Sequence, residues 1–172
     1  MIHNFNVNSQ QIKKIKKITA EEKNFRLKNL ELFEQSGLPS KRLEDWKFSD
    51  FKQIINSNFE KIETKKNSDD IKKIKFIKDF EHNFIVLVNG SLHSSDFGHE
   101  EKNKVKINSY EKDINYKLSK NPLICLNHAL AEGGFTLKIE KNYKLKKVLV
   151  IYNFFTKEIE NKILNYKNKI II

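Results

Sequence analysis

Cysteine, tryptophan and methionine each occur once in this 172-residue chain, proline twice and glycine five times. The single cysteine, Cys125, excludes an internal disulfide and fits a reducing compartment, by default the cytoplasm. The five glycines, at 37, 90, 98, 133 and 134, make neither a phosphate-cradling loop ending in Gly-Lys-Ser/Thr nor a dinucleotide fingerprint, which argues against autonomous nucleotide binding. No window approaches about 18 consecutive apolar residues, so nothing reads as membrane-spanning. The amino terminus, MIHNFNVNSQQ, lacks the apolar run of a secretory signal.

Arginine is nearly absent too. Of 33 basic residues only Arg26 and Arg42 are arginine, in a chain of net charge +11. A basic face releases counterions from phosphate, so the charge invites a nucleic-acid reading. Bidentate phosphate and guanine recognition is mostly arginine's work, however, and a dedicated binder keeps more of it. The lysines run from Lys13 to Lys169 without forming a block, and Lys, Asn and Ile dominate as in sequences drifting toward A- and T-rich codons. The excess is therefore read as solvated surface, and nucleic acid as a minor alternative.

The first forty residues read as helical. Ser9 is placed as cap of a short segment carrying Ile12, Ile15 and Ile18, and Thr19 to Glu22 as a capping box. The helix opened there carries Phe25, Leu27, Leu30, Leu32 and Phe33 and ends at Gly37 and Pro39. A short segment over Phe51 to Ile55 is expected behind a Ser49 cap, and residues 56–73 as a polar loop. Phe84 to Val88 reads as a strand, Asn89-Gly90 as a hairpin turn and SLH as the return. A loop, a short strand at Val105 to Ile107 and a polar helix over 109–119 follow. Pro122 then starts an apolar helix expected to end at Gly133-Gly134. From Phe135 on, FTLKIEK, KKVLVIYNFF and NKIII are short strands separated by turns, the pattern of an all-β stack such as a β-solenoid. A bare apolar β end is an unblunted edge, and on that ground the chain reads as the front part of a longer protein.

Few constellations carry chemistry. Cys125 and His128 stand at i and i+3 on the apolar helix, a soft thiolate and an imidazole suited to zinc or iron, but a closed site needs about four ligands. Cys125 between Ile124 and Leu126 reads more simply as core. His93, Asp96 and His99 are a second cluster, in a loop. Glu44-Asp45 and Glu100-Glu101 are adjacent carboxylates, whose side chains diverge, and both pairs read as surface. No catalytic residue is assigned. The rarest residue types gather in GLPSKRLEDWKF, residues 37 to 48. There Trp46 is read as the anchor of a packed junction, a clamp between helix and sheet. Arg42, Glu44 and Lys47 surround it as ion pairs or face a partner, so the stretch is a structural or a partner-facing motif.

Three stretches carry a resemblance. GLPSKRLEDWKFSDF resembles the segment near the start of SufD proteins, FIVLVNGSL is similar to that family's strand ending in Asn-Gly, and PLICLNHALAEGGFTLKIEKN resembles its Leu-Asn-x-Ala stretch. They lie in family order from Gly37 to about Phe155; Val148 stands where the family usually has proline, and the first 36 residues match only as a helix-rich lead-in. The sister protein SufB usually lacks the Gly-Leu-Pro to Trp-Lys stretch, which makes SufD the closer likeness.

The resemblance implies an α+β chain. Residues 1–134 are expected to form a helical and α+β region, and residues 135–172 the first strands of a right-handed parallel β-helix, incomplete here. It also implies a non-enzymatic scaffold component of SUF-type iron–sulfur cluster assembly, acting with SufB-like and SufC-like partners. The cluster, and ATP through SufC, belong to that complex; no cofactor is expected in this segment, and Cys125 and His128 gain no metal role from the likeness. The rival readings are a small basic nucleic-acid-binding domain and the front end of a β-helical enzyme.

Overall fold

Asn8, rather than Ser9, opens the first helix. In a computed structural model, which describes residues 6–16, 18–41, 46–59, 61–63, 75–110 and 117–172, Asn8 Oδ1 accepts the Gln10 N–H and Gln11 Oε1 accepts the Asn8 N–H. Either side chain can satisfy the orphan donors of a first turn, and the asparagine one residue earlier does so. The helix is α1, Ser9–Lys14; α2 is Ala20–Ser36, with Thr19 Oγ1 accepting the Glu22 N–H at 3.1 Å as expected. Gly37 ends α2 at a φ of 68°, a conformation that favours glycine. The third helix, α3, Phe51–Asn58, is capped by Asp50 rather than Ser49, its Oδ1 accepting the Gln53 N–H at 2.9 Å.

Two compact units share the chain. One comprises Met1–Thr64, Asp113–Ala131 and Asn161–Asn165, the other Lys65–Lys112, Glu132–Glu160 and Tyr166–Ile172. In the first, α2 packs on α4, Pro122–Leu130, around a core that includes Ile12, Leu30, Phe33, Leu126 and Leu130. The periodicity pointed to an apolar face on α2; the buried stripe is instead Glu22, Arg26, Asn29, Leu30 and Phe33, its first half polar. A two-stranded parallel pair, β1 (Lys61–Glu63) with β7 (Lys162–Leu164), completes this unit, so residues 61–63, expected within a loop, are strand.

The second unit is a six-stranded mixed sheet. β2 (Asn83–Val88) turns through Asn89-Gly90, with φ of 47° and 76°, into antiparallel β3 (Ser91–Asp96), longer than the SLH return expected. β4 (Val105–Ser109) is antiparallel to β5 (Gly133–Ile139), β2 runs parallel to β6 (Leu149–Phe154), and β5 parallel to β8 (Tyr166–Ile171). Ile85, Leu87, Phe135 and Leu137 are fully buried between the sheet's strands and neighbouring loops, each stabilising by about 1.5–3 kcal/mol over exposure.

The glycine pair at 133–134 serves this sheet and not the helix before it. α4 ends at Leu130, and Gly134, at φ 114°, brings β5 so close to β8 that an added Cβ would lie 1.9 Å from the Lys167 carbonyl oxygen. The fold is thus α+β as expected, with four helices and a mixed sheet among the described residues. No β-helix or solenoid forms among them, because the Asn89-Gly90 hairpin and the antiparallel β4–β5 pair fold strands back where a solenoid would stack them. Most of the helix expected over 109–119 lies outside the described residues; Ser109, Tyr110 and 117–119 are not helical. Among the described residues no helix is long and apolar enough to cross a membrane.

Candidate functional site

Trp46 is half-buried, and its ring lies 4.8 Å from that of Phe51, the first residue of α3. The indole thus packs against the first turn of α3, the helix its own segment enters. Lys47 is exposed, with Nζ 5.8 Å from the centroid of the Phe48 ring, itself 93% exposed. Arg42 and Glu44 lie outside the described residues.

Cys125 and His128 do share α4, Cys125 in the core and His128 half-buried. Cys125 is 1% exposed, its Sγ donates to the Ser119 carbonyl at 3.2 Å, and burial pushes the thiol pKa up, disfavouring the thiolate a metal would need. The His128 ring sits 5.5 Å from that of Phe25 on α2. Among the described residues no three His, Cys, Asp or Glu side chains are grouped to hold a metal ion.

His93 and Asp96 stand on β3, not in a loop, and His99 in the turn after it. Asp96 Oδ1 accepts the Gly98 N–H at 2.8 Å, and His93 Nδ1 lies 3.2 Å from Ser94 Oγ. The three do not form one ligand set.

Glu100 is the residue sequence reasoning undervalued. Its carboxylate accepts from Asn83 Nδ2 at 2.6 Å, Tyr143 Oη at 2.8 Å, the Lys146 N–H at 3.0 Å and the Lys147 N–H at 3.2 Å. Burial works to raise its pKa, but these donors outweigh it and hold the group at about 2. Glu100 thereby ties the turn after β3 to the loop before β6 and to the first residue of β2, where the Asn83 N–H meets the Val148 carbonyl at 2.8 Å. Nothing in the spacing of an adjacent Glu-Glu pair signals four donors converging from a strand and a loop 17 to 47 positions away.

A second feature had only a faint sequence signal, phenylalanines at 76, 80 and 84. Residues 75–82 form no strand, yet they are pinned against side chains of β2 and β6. The Phe76 ring lies 4.9 Å from Phe84 and 5.1 Å from Tyr152. Tyr152 Oη accepts the Ile77 N–H at 3.1 Å and meets His82 Nε2 at 2.7 Å, while His82 Nδ1 lies 3.0 Å from the Phe80 carbonyl. A carbonyl only accepts, so the network assigns the proton to Nδ1 and makes Nε2 the acceptor of the tyrosine hydroxyl. Both ring nitrogens are thus engaged. The strap borders an open groove of about 550 Å³ that Asp96 and His99 also line.

No curated protein matches the chain. The family model described as SufBD protein N-terminal region matches residues 2–151, which include all three stretches that resembled SufD proteins. That match spans most of the sequence and does not separate SufB from SufD. Through it the chain belongs to the SufBD family, whose members take part in SUF-type iron–sulfur cluster assembly.

Proposed function

We propose that this protein is the SufD-type scaffold component of a SUF assembly complex, acting in the cytoplasm with a SufB-like partner and a SufC-like ATPase. The observation that carries the finer assignment is the Gly37-Leu38-Pro39 to Trp46-Lys47 stretch, inside the family match and of a kind SufB usually lacks. In this reading it is a scaffold and not an enzyme, and it needs no metal or nucleotide site of its own. The cluster is the complex's cargo, and ATP is hydrolysed by the SufC-like subunit. The parallel pairs β2–β6 and β5–β8 are compatible with strands that lead into a β-helix, which is part of the same proposal.

The test is complementation. Cells lacking their SufD-like component should regain iron–sulfur enzyme activity when this protein is supplied, and cells lacking the SufB-like component should not. Rescue of the second strain instead would make the protein SufB-like, and rescue of neither would remove the assignment.

A further inference from the structure

The groove under the 75–82 strap has no part in the reading above, and its chemistry is uncommon in this chain. Three phenyl rings, Phe76, Phe80 and Phe84, line it. Asp79 and Glu81 of the strap and Asp96 of β3 line it as well. Lys78 also lines the groove, and Lys147 Nζ pairs with Glu81 Oε2 at 2.8 Å, so one negative charge remains uncompensated locally in a protein of net charge +11. That local excess governs a docked group, because more distant charges are screened beyond about 8 Å at physiological salt.

Aromatic faces beside carboxylates are the surroundings that favour a cation. The ring quadrupole attracts an ammonium or guanidinium within about 6 Å of a centroid, and a carboxylate supplies a charged hydrogen-bond acceptor. An anion would meet the same ring faces and acids with repulsion, and a purely apolar group would gain no charge-assisted hydrogen bond from them. His82 adds no competing donor on the groove side, since its Nδ1–H is committed to the Phe80 carbonyl and its Nε2 to Tyr152. The groove is also built in advance. Tyr152 holds the strap by the Ile77 N–H and by His82, and the Phe76 ring stands nearly edge-on, at 78°, to the Tyr152 ring. Little ordering cost then falls on binding.

We propose that this groove is a docking site for a lysine or arginine side chain on a peptide segment of a partner protein. The inference does not rest on the SUF assignment and can fail separately from it.

The probe is the peptide acetyl-Gly-Arg-Gly-amide, titrated into the isotopically labelled full chain. The readout is the ring resonances of Phe76, Phe84 and Tyr152 together with the Ile77 amide. Arginine peptide should shift these signals saturably. The peptide with citrulline, which keeps arginine's shape without its charge, should bind at least about tenfold more weakly. The double substitution Asp79→Asn with Asp96→Asn keeps an acceptor for the Gly98 N–H and should weaken the arginine peptide by a similar factor while leaving the Ile77 amide as protected as in the wild type. Equal binding of the citrulline and arginine peptides, tighter binding of a glutamate peptide, or no saturable shift at these residues would each overturn the proposal.

Discussion

Replacing Arg26 with alanine removes three hydrogen bonds from the interior of the helical unit. Arg26 is 4% exposed; Nε donates to Glu22 Oε1 at 2.9 Å, Nη1 to the Ala129 carbonyl at 3.0 Å and Nη2 to the Ala131 carbonyl at 3.0 Å. One planar fork therefore neutralises a carboxylate that is itself 3% exposed and supplies donors to carbonyls at the end of α4 that the helix leaves without intrahelical partners. Truncating one partner of a buried pair costs about 3–5 kcal/mol, because the other charge stays behind without compensation. That is a large fraction of the roughly 5–15 kcal/mol by which a domain is stable. Lysine keeps the charge but not the fork and should cost about half as much. The paired change Glu22→Leu with Arg26→Met removes both charges and should cost only ~1–2 kcal/mol, the residue of the lost donors to Ala129 and Ala131. Urea unfolding followed by fluorescence of Trp46, the only tryptophan and a member of the same unit, reads the effect directly. A loss below about 1 kcal/mol for Arg26→Ala, or a double variant weaker than the single one, would refute the reasoning.

Three further outcomes follow from the sheet unit and from α4. Glu100 has its folded pKa depressed to about 2 from 4.5, so its contribution is present above about pH 4.5 and lost as pH falls toward 2. Discounted for solvent screening this is on the order of 2 kcal/mol; Glu100→Gln should be less stable than wild type near neutrality, and acid-unfolding curves of the two should converge near pH 2. Gly134→Ala places a Cβ 1.9 Å from the Lys167 carbonyl oxygen at a φ of 114°, and should lower stability by more than about 2 kcal/mol and strip hydrogen-exchange protection from β8; retained protection would contradict the close approach. Cys125, 1% exposed with its thiol pKa raised by burial, should react with a thiol reagent at native pH only as fast as the helical unit opens, and added zinc should leave the melting temperature unchanged.

What could be read from the sequence was local. Thr19, Gly37, Pro122 and Asn89-Gly90 each act on backbone within a few residues, so their roles as cap, stop, helix start and hairpin turn are written in the short stretch that contains them. Ser9 and Ser49 were displaced by Asn8 and Asp50, neighbours with equally competent side-chain oxygens that local pattern alone does not rank. Gly133-Gly134 looked like a helix stop because a glycine's need for space is visible in sequence while the strand that approaches it, 33 positions on, is not. The same distance hides the β2–β6 pairing, Arg26 as a donor to α4, and Glu100, whose partners come from the start of β2 and the loop between β5 and β6. A polar residue that is buried because its partners converge leaves no periodicity. Arg26 did stand out as one of two arginines, but rarity marked it without saying what it holds.

Size-exclusion chromatography with light scattering on this protein, mixed with the SufB-like and SufC-like proteins of the same genome, tests the scaffold assignment most directly. The account predicts a single species whose mass includes all three chains and which loses this chain only when the SufB-like protein is omitted. A SufB–SufC species that elutes unchanged while this protein runs free at its own 20.4 kDa would contradict it.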